Sequence, residues 1–200
     1  MSLSEQQLQL LKNSLEFISI YGWTEKPLLL GAQKANIHED LIPILFPNGS
    51  QSAYKIFVDM INNEVLNQAA YLKNAPLRVH EKVEESILIR LKVLLPFKNC
   101  VSKAQSFHKN PKNTSISITT LYSIVDTLWF VCGDTSMDWN FYTKRTLLAY
   151  AYMLTISRWL KSQDSEDLEY MRPYVKEKLQ SVMKISKVKK FFTPFFNAKK

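Results

Sequence analysis

The residues with most chemistry to offer crowd one corner of the chain, Gly133-Asp134-Thr135-Ser136-Met137-Asp138-Trp139-Asn140-Phe141-Tyr142-Thr143-Lys144-Arg145, between two apolar segments. Two acids, two bases and three aromatics at this spacing either build a polar network inside the protein or present a charged, aromatic surface to a partner. With Asp126 nearby in sequence, Asp134 and Asp138 could form a carboxylate cluster for acid–base work. Asp134, Ser136 and Asp138 are also good N-cap types for a following helix, and capping accounts for two of those carboxylates more simply. The histidines His38, His80 and His108 are isolated, and the chain has no HExxH, no facial carboxylate–histidine set, no glycine-rich phosphate loop and no GxSxG. The expectation is therefore a protein that is not an enzyme, with no catalytic residue, no metal and no cofactor. Cys100 and Cys132 lack CxxC spacing and are expected to be reduced and buried.

Helices must position that corner. Two hundred residues suit one domain, or one domain with a small appendage, with a sizeable core, and four glycines with long periodic apolar segments point to helices rather than turn-linked strands. No apolar run reaches the roughly 18 residues of a spanning helix. The first residues lack the layout of a secretory signal or a transit peptide. An intracellular, soluble protein is expected, bacterial or already processed.

Leu8, Leu11, Leu15 and Ile18 predict a first helix from Ser4 to Tyr21, stopped at Gly22. Thr24 is expected to cap a second helix running to about Lys34, with Pro27 near its first turn. His38 to Leu45 reads as a short third helix bent or ended by Pro43, and Phe46-Pro47-Asn48-Gly49 closes the unit. Three helices so joined have the layout of a helix-turn-helix DNA-binding unit. The third, His38-Glu39-Asp40-Leu41-Ile42-Pro43-Ile44-Leu45, offers carboxylates where phosphate contact needs cations, so no nucleic-acid partner is expected.

Phe57, Ile61 and Val65 predict a helix from Ser52 to about Lys73, and Val83, Ile87, Leu91 and Leu95 another from Pro76 to about Leu95. Phe107 to Thr114 reads as a polar loop, and Ser115 to Thr119 as the first turn of the helix after it. Thr119 to Cys132 is apolar nearly all round and is expected to be a buried central helix. Tyr142 to Leu160 is likewise two-sided. These two helices form a packed core or wall a cavity, and periodicity leaves both open, since a lipid pocket and a dry core use the same residue types.

Ser162 to Ser165 marks a turn before a last helix, expected from Glu166 to about Phe192 with a kink near Pro173. Of the net charge of +8, six lysines fall between Lys184 and Lys200 with no acid among them, leaving +2 for the other 183 residues. The same stretch carries Val188, Phe191, Phe192, Phe195 and Phe196. Burying each phenylalanine contributes on the order of 1.5–3 kcal/mol, and each lysine about 1 kcal/mol beside an anionic bilayer. This basic amphipathic segment either attaches reversibly to a membrane surface or packs on the core with a frayed lysine end.

At the corner where this reading began, the chain resembles a family, the Coq-nine lipid-binding accessory proteins of ubiquinone biosynthesis, which share the fold of TetR transcription regulators. The resemblance rests on Gly22-Trp23-Thr24-Glu25 with Gly31-Ala32, on Phe46-Pro47-Asn48-Gly49, on Trp129 with Gly133-Asp134, on Ser136 with Asp138, and on Asn140 with Tyr142-Thr143-Lys144-Arg145. Leu148-Ala149, Tyr152 and Thr155 continue it, and it covers roughly Leu8 to Val182.

The resemblance implies an all-α, TetR-regulator-like fold in three parts. These are a degenerate helix-turn-helix unit over residues 1–50, a helical lipid-binding and dimerisation part over 51–172, and a membrane-associating tail over 173–200. The implied work is non-catalytic: a homodimer binds an isoprenoid quinone intermediate or other lipid at the membrane surface and presents it to the demethoxyubiquinone hydroxylase. On this reading Leu121, Tyr122, Val125, Trp129, Leu148, Tyr152 and Leu154 meet the lipid, and Asp138, Phe141, Tyr142 and Arg145 match the family's partner-binding patch. Val188 and the four tail phenylalanines meet the membrane. Phe141 replaces the usual tryptophan and Met137 a threonine, which bears on partner choice. The expected location is the inner face of a bacterial cytoplasmic membrane, or the matrix side of the mitochondrial inner membrane for a processed eukaryotic protein. A TetR-like ligand-sensing regulator is the alternative.

Overall fold

Proline and glycine set the helix boundaries. The computed structural model describes residues 3–134, 139–162 and 167–182, with residues 139–141 described by their backbone alone. Among them the fold is all-α: α1 (Leu3–Tyr21), α2 (Glu25–Ala35), α3 (Ile42–Leu45), α4 (Ser50–Gln68), α5 (Val79–Leu94), α6 (Lys98–Lys109), α7 (Thr114–Val131), α8 (Trp139–Leu160) and helical residues 172–182, here α9. Short 3-10 turns precede or follow several of these. No described helix is long and apolar enough to cross a membrane. The chain clusters into two compact units, residues 1–64 with 93–124, and residues 65–92 with 125–200.

In the first unit, α1 buries Leu11, Leu15 and Ile18 of the stripe read from its spacing together with Leu10, while Leu8 is half-buried. Gly31 of α2 lies so close to Ser14 that an added Cβ would meet its Oγ at 2.0 Å, so only glycine allows the two helices this approach. Thr24 occupies the N-cap position of α2, but its hydroxyl makes no capping bond. The acid after it acts instead across the unit, where the Glu25 carboxylate accepts the Ser50 N–H at 2.9 Å at the start of α4. Pro43 neither bends nor ends the third helix. A 3-10 turn at Glu39–Leu41 leads into α3, and Pro43 sits in its first turn, where a missing N–H is harmless.

An aromatic cluster lies in this unit, with Trp23 edge-on to Tyr54 at 4.9 Å and Tyr54 tilted against Phe107 at 4.9 Å. The Trp23 indole donates to the Cys100 carbonyl at 2.9 Å. Both Cys100 and Cys132 are free and buried. Cys100 and Phe107 belong to α6, a helix that the polar composition of its outer face hides in the sequence. The expected polar loop shrinks to a 3-10 turn, Pro111–Asn113, before α7. The Asn113 amide donates to the Phe107 carbonyl at 2.8 Å, closing the end of α6.

The second unit holds the larger departures from expectation. α7, whose residues 125–131 fall in this unit, is not buried all round: Phe130 is 60% exposed here, and Ile118 and Tyr122, in the part of α7 belonging to the first unit, are 63% and 43% exposed. α5, whose sequence shows a single apolar stripe, is instead buried on nearly every side. Lys82, Glu84, Ser86 and Arg90 are withdrawn from water together with Val83, Ile87, Leu88 and Leu91. The start of α9 is pinned to it: Arg172 pairs with Glu84 at 3.3 Å and Glu85 at 2.9 Å, and its Nε donates to Glu169 at 2.6 Å. Pro173 falls in the first turn of α9 and starts that helix rather than kinking it. Val175, Leu179 and Val182 form its buried face. Glu166 and everything beyond Val182, including the membrane residues Val188, Phe191, Phe192, Phe195 and Phe196, lie outside the described residues.

Candidate functional site

The corner between α7 and α8 is built from the end of α7 outward. Gly133 takes φ +80°, a conformation that L side chains rarely adopt, and lets the Gly133 and Asp134 N–H groups turn back to the Phe130 and Trp129 carbonyls at 3.0 and 3.2 Å. Asp134 therefore belongs to the close of α7, not to the N-cap of α8, which begins at Trp139. Its carboxylate is nearly buried and ion-paired. Lys144 Nζ lies 2.9 Å from Oδ1, and Arg145 Nη1 lies 3.6 Å from Oδ2.

Arg145 is the hub. Its side chain is 7% exposed, and Nε and Nη2 donate to Asp126 Oδ1 at 2.9 and 2.6 Å. Four charges, two of each sign, thus meet in the second unit, with Arg145 and Asp134 withdrawn from water and Asp126 and Lys144 partly exposed, and the candidate catalytic pair Asp126 and Asp134 is tied up in arginine and lysine contacts. Among the described residues no group of histidine, cysteine or carboxylate could hold a metal ion. Asp138, and the side chain of Phe141, fall outside the described residues.

A second buried polar contact links α5 to α8. Arg90, 1% exposed, donates from Nε to the Tyr152 hydroxyl at 2.9 Å. Sequence reading did not single out Arg90. The available signal was its position, one residue before Leu91 and four after Ser86, which puts it beside the apolar stripe. Lys82, one turn before Ser86, donates to the Lys73 carbonyl at 2.9 Å. Burial pushes the Cys132 thiol up to about 11, against a lowering hydrogen bond from Ser86, so it is inert as a nucleophile.

Of the residues assigned to lipid, Val125, Leu148 and Tyr152 are buried in the second unit, and Trp129 and Leu154 are half-buried there. Leu121, half-buried, and Tyr122, exposed, fall by residue range in the first unit. A cleft of about 370 Å³ in the second unit is lined by Tyr71, Leu88, Ile89 and Lys92 among others, and by none of the residues assigned to lipid. The outer face of α8 is aromatic. Tyr142, Tyr150 and Met153 are 65%, 51% and 47% exposed at spacings that put them on one side of the helix. Of the partner residues, Tyr142 is on the surface and Arg145 lies beneath it.

The segment that builds this corner is also where the chain matches known proteins. The COQ9 family model matches residues 114–186, from α7 through α9. The chain is 29% identical over 195 residues to the probable ubiquinone biosynthesis protein coq9, mitochondrial, of Dictyostelium discoideum, covering 92% of this chain and 62% of that protein. It is 30% identical over 161 residues to the ubiquinone biosynthesis protein COQ9, mitochondrial, of Homo sapiens (76% and 50%), and 31% to that of Rattus norvegicus (76% and 51%). The chain thus spans between half and about three-fifths of the length of these relatives.

Proposed function

The chain belongs to the COQ9 family, and from that premise we propose that it acts in ubiquinone biosynthesis as a non-catalytic accessory protein. It binds an isoprenoid quinone intermediate at the membrane and presents it to the demethoxyubiquinone hydroxylase. The relatives are named mitochondrial, which favours the matrix face of the mitochondrial inner membrane for this chain.

The observation that supports this reading is the division of labour on α8, inside the matched segment. Its inner face carries Leu148 and Tyr152, withdrawn from water, and its outer face leaves Tyr142, Tyr150 and Met153 exposed. Exposed aromatics contribute most of the energy of a protein contact, while polar neighbours fix register. Arg145 contributes from below, by holding the α7–α8 corner that carries Tyr142. The TetR-like fold and the homodimer belong to the same proposal.

Mass spectrometry of organic extracts from the purified full chain tests the lipid half. Isoprenoid quinones or related lipids are expected in stoichiometric amount, and reproducible recovery of none would sink it. Pull-down of the hydroxylase by Tyr142→Ala tests the docking half: a loss of about tenfold is expected, and capture equal to wild type counts against docking on this face.

A further inference from the structure

We infer that the indole N–H of Trp129 reads a neutral oxygen on the ring of the bound lipid, an inference that rests on the lipid-binding reading above. Among the described residues, the Nε1 atom of Trp129 is buried and has no hydrogen-bond acceptor. An indole N–H can only donate, and a buried donor without a partner is unfavourable enough that native proteins nearly always supply one.

The described groups around it are engaged with one another. The Lys144 ammonium stands 5.5 Å over the face of the ring and is itself a donor. The Asp134 carboxylate faces Lys144 and Arg145 Nη1 with its two oxygens, and Asp126 Oδ1 accepts from Nε and Nη2 of Arg145. The Trp129 carbonyl already receives the Cys132 and Asp134 N–H groups at 3.1 and 3.2 Å. No described residue answers this N–H, and the ligand supplies the acceptor.

The same neighbourhood chooses the kind of acceptor. Lys144 and Arg145 are matched by Asp126 and Asp134, so no net positive charge remains to draw a phosphate, and a neutral oxygen suffices for a lone N–H. The ammonium over the ring polarises the indole toward stronger donation. Val125, one turn earlier on α7 and buried, supplies apolar surface for the rest of the molecule. A quinone carbonyl or ring methoxyl on an isoprenoid or alkyl chain has this combination. A bare hydrocarbon lacks the oxygen, and a phospholipid carries a phosphate that nothing here neutralises.

Calorimetric titration of the full chain with decylubiquinone, with decylbenzene and with a short-chain phosphatidylcholine tests the inference. Wild type is expected to bind decylubiquinone about tenfold more tightly than decylbenzene, and Trp129→Phe to bind the two equally. The indole ¹⁵N–¹H resonance of Trp129 should move downfield only with decylubiquinone. Replacing Trp129 with benzothienylalanine, which keeps the bicyclic shape and removes the N–H, guards against a folding defect in the phenylalanine variant. Wild type binding decylubiquinone and decylbenzene equally, or the benzothienylalanine protein retaining the preference, overturns the assignment while leaving lipid binding intact. Preference for phosphatidylcholine overturns the choice of a neutral oxygen. Binding of none of the three overturns the lipid reading and this inference with it.

Discussion

The two units solve the same problem, a core containing polar atoms, in opposite ways. In the first, every polar group in the aromatic cluster closes on a neighbour: Trp23 on the Cys100 carbonyl, Tyr54 on His108, His108 on Ser117. In the second, charges are buried. Arg90, Lys82, Glu84 and Arg145 lie below the surface, and the Trp129 N–H finds no acceptor among the described residues. Buried ion pairs contribute little net stability against an apolar replacement but fix geometry strongly. The comparison teaches that the unit carrying most of the matched segment gives up some stability to hold side chains in set positions, which is what a site requires.

The largest expected effect lies in that second unit. Arg145→Ala strips Asp134 of one cation inside the protein while leaving the carboxylate buried, and should destabilise the chain by about 3 kcal/mol, the low end for a broken buried pair because Asp126 is half-exposed. Urea unfolding measures it. Adding Asp134→Asn should recover part of the loss, since the carboxylate left behind is then gone. A loss below about 1 kcal/mol, with no recovery in the double variant, would mean that the four-charge cluster does not hold the corner.

The two tryptophans sharpen the comparison at an intermediate scale. Trp23→Phe removes a made hydrogen bond and some packed volume, and should cost about 2 kcal/mol. Trp129→Phe removes an N–H that no described residue accepts, so in the absence of lipid its loss of packing is offset and stability should stay within about 1 kcal/mol of wild type or rise. Parallel melting curves of the two variants decide it, and equal losses would erase the distinction drawn between the units.

Much of the first unit was legible because its helices obey single-face periodicity. Leu11, Leu15 and Ile18 in α1 and Phe57 and Ile61 in α4 lie where their spacing puts them. α6 escaped because Ser102, Lys103, Gln105 and Ser106 dilute a buried face of only three residues, Cys100, Ala104 and Phe107. In the second unit the pattern itself misleads. Hydrophobicity assigns Arg90 and Lys82 to solvent and Phe130 to the core, and tertiary partners reverse all three. The corner from Gly133 to Arg145 was visible as a concentration of chemistry, yet Asp134 was read as a cap for the helix after it, because nothing local tells that its backbone turns back to α7 while its side chain meets cations ten and eleven residues on.

The smallest expected effect returns to the first unit and its closed polar chain. The Ser117 hydroxyl donates to the Asn113 carbonyl at 2.7 Å, so its oxygen must accept from His108 Nδ1–H, and Nε2 is left to accept from the Tyr54 hydroxyl at 2.9 Å. Only the neutral ring satisfies both neighbours. Burial among them lowers the His108 pKa from the ordinary 6.5. The unfolded chain then binds the proton more readily than the folded one, so the stability contributed by neutral His108 is complete above about pH 6.5 and is lost as pH falls from there through the folded-state pKa. Partial solvent access to the ring keeps the effect modest. Unfolding free energy measured from pH 8 to pH 5 should decline on this account in wild type and decline less in His108→Gln, whose amide can accept from Tyr54 without titrating. Identical slopes for the two proteins would show that the aromatic unit is closed by packing alone, and that the contrast with the charged unit rests on Trp23 rather than on its hydrogen-bonded histidine.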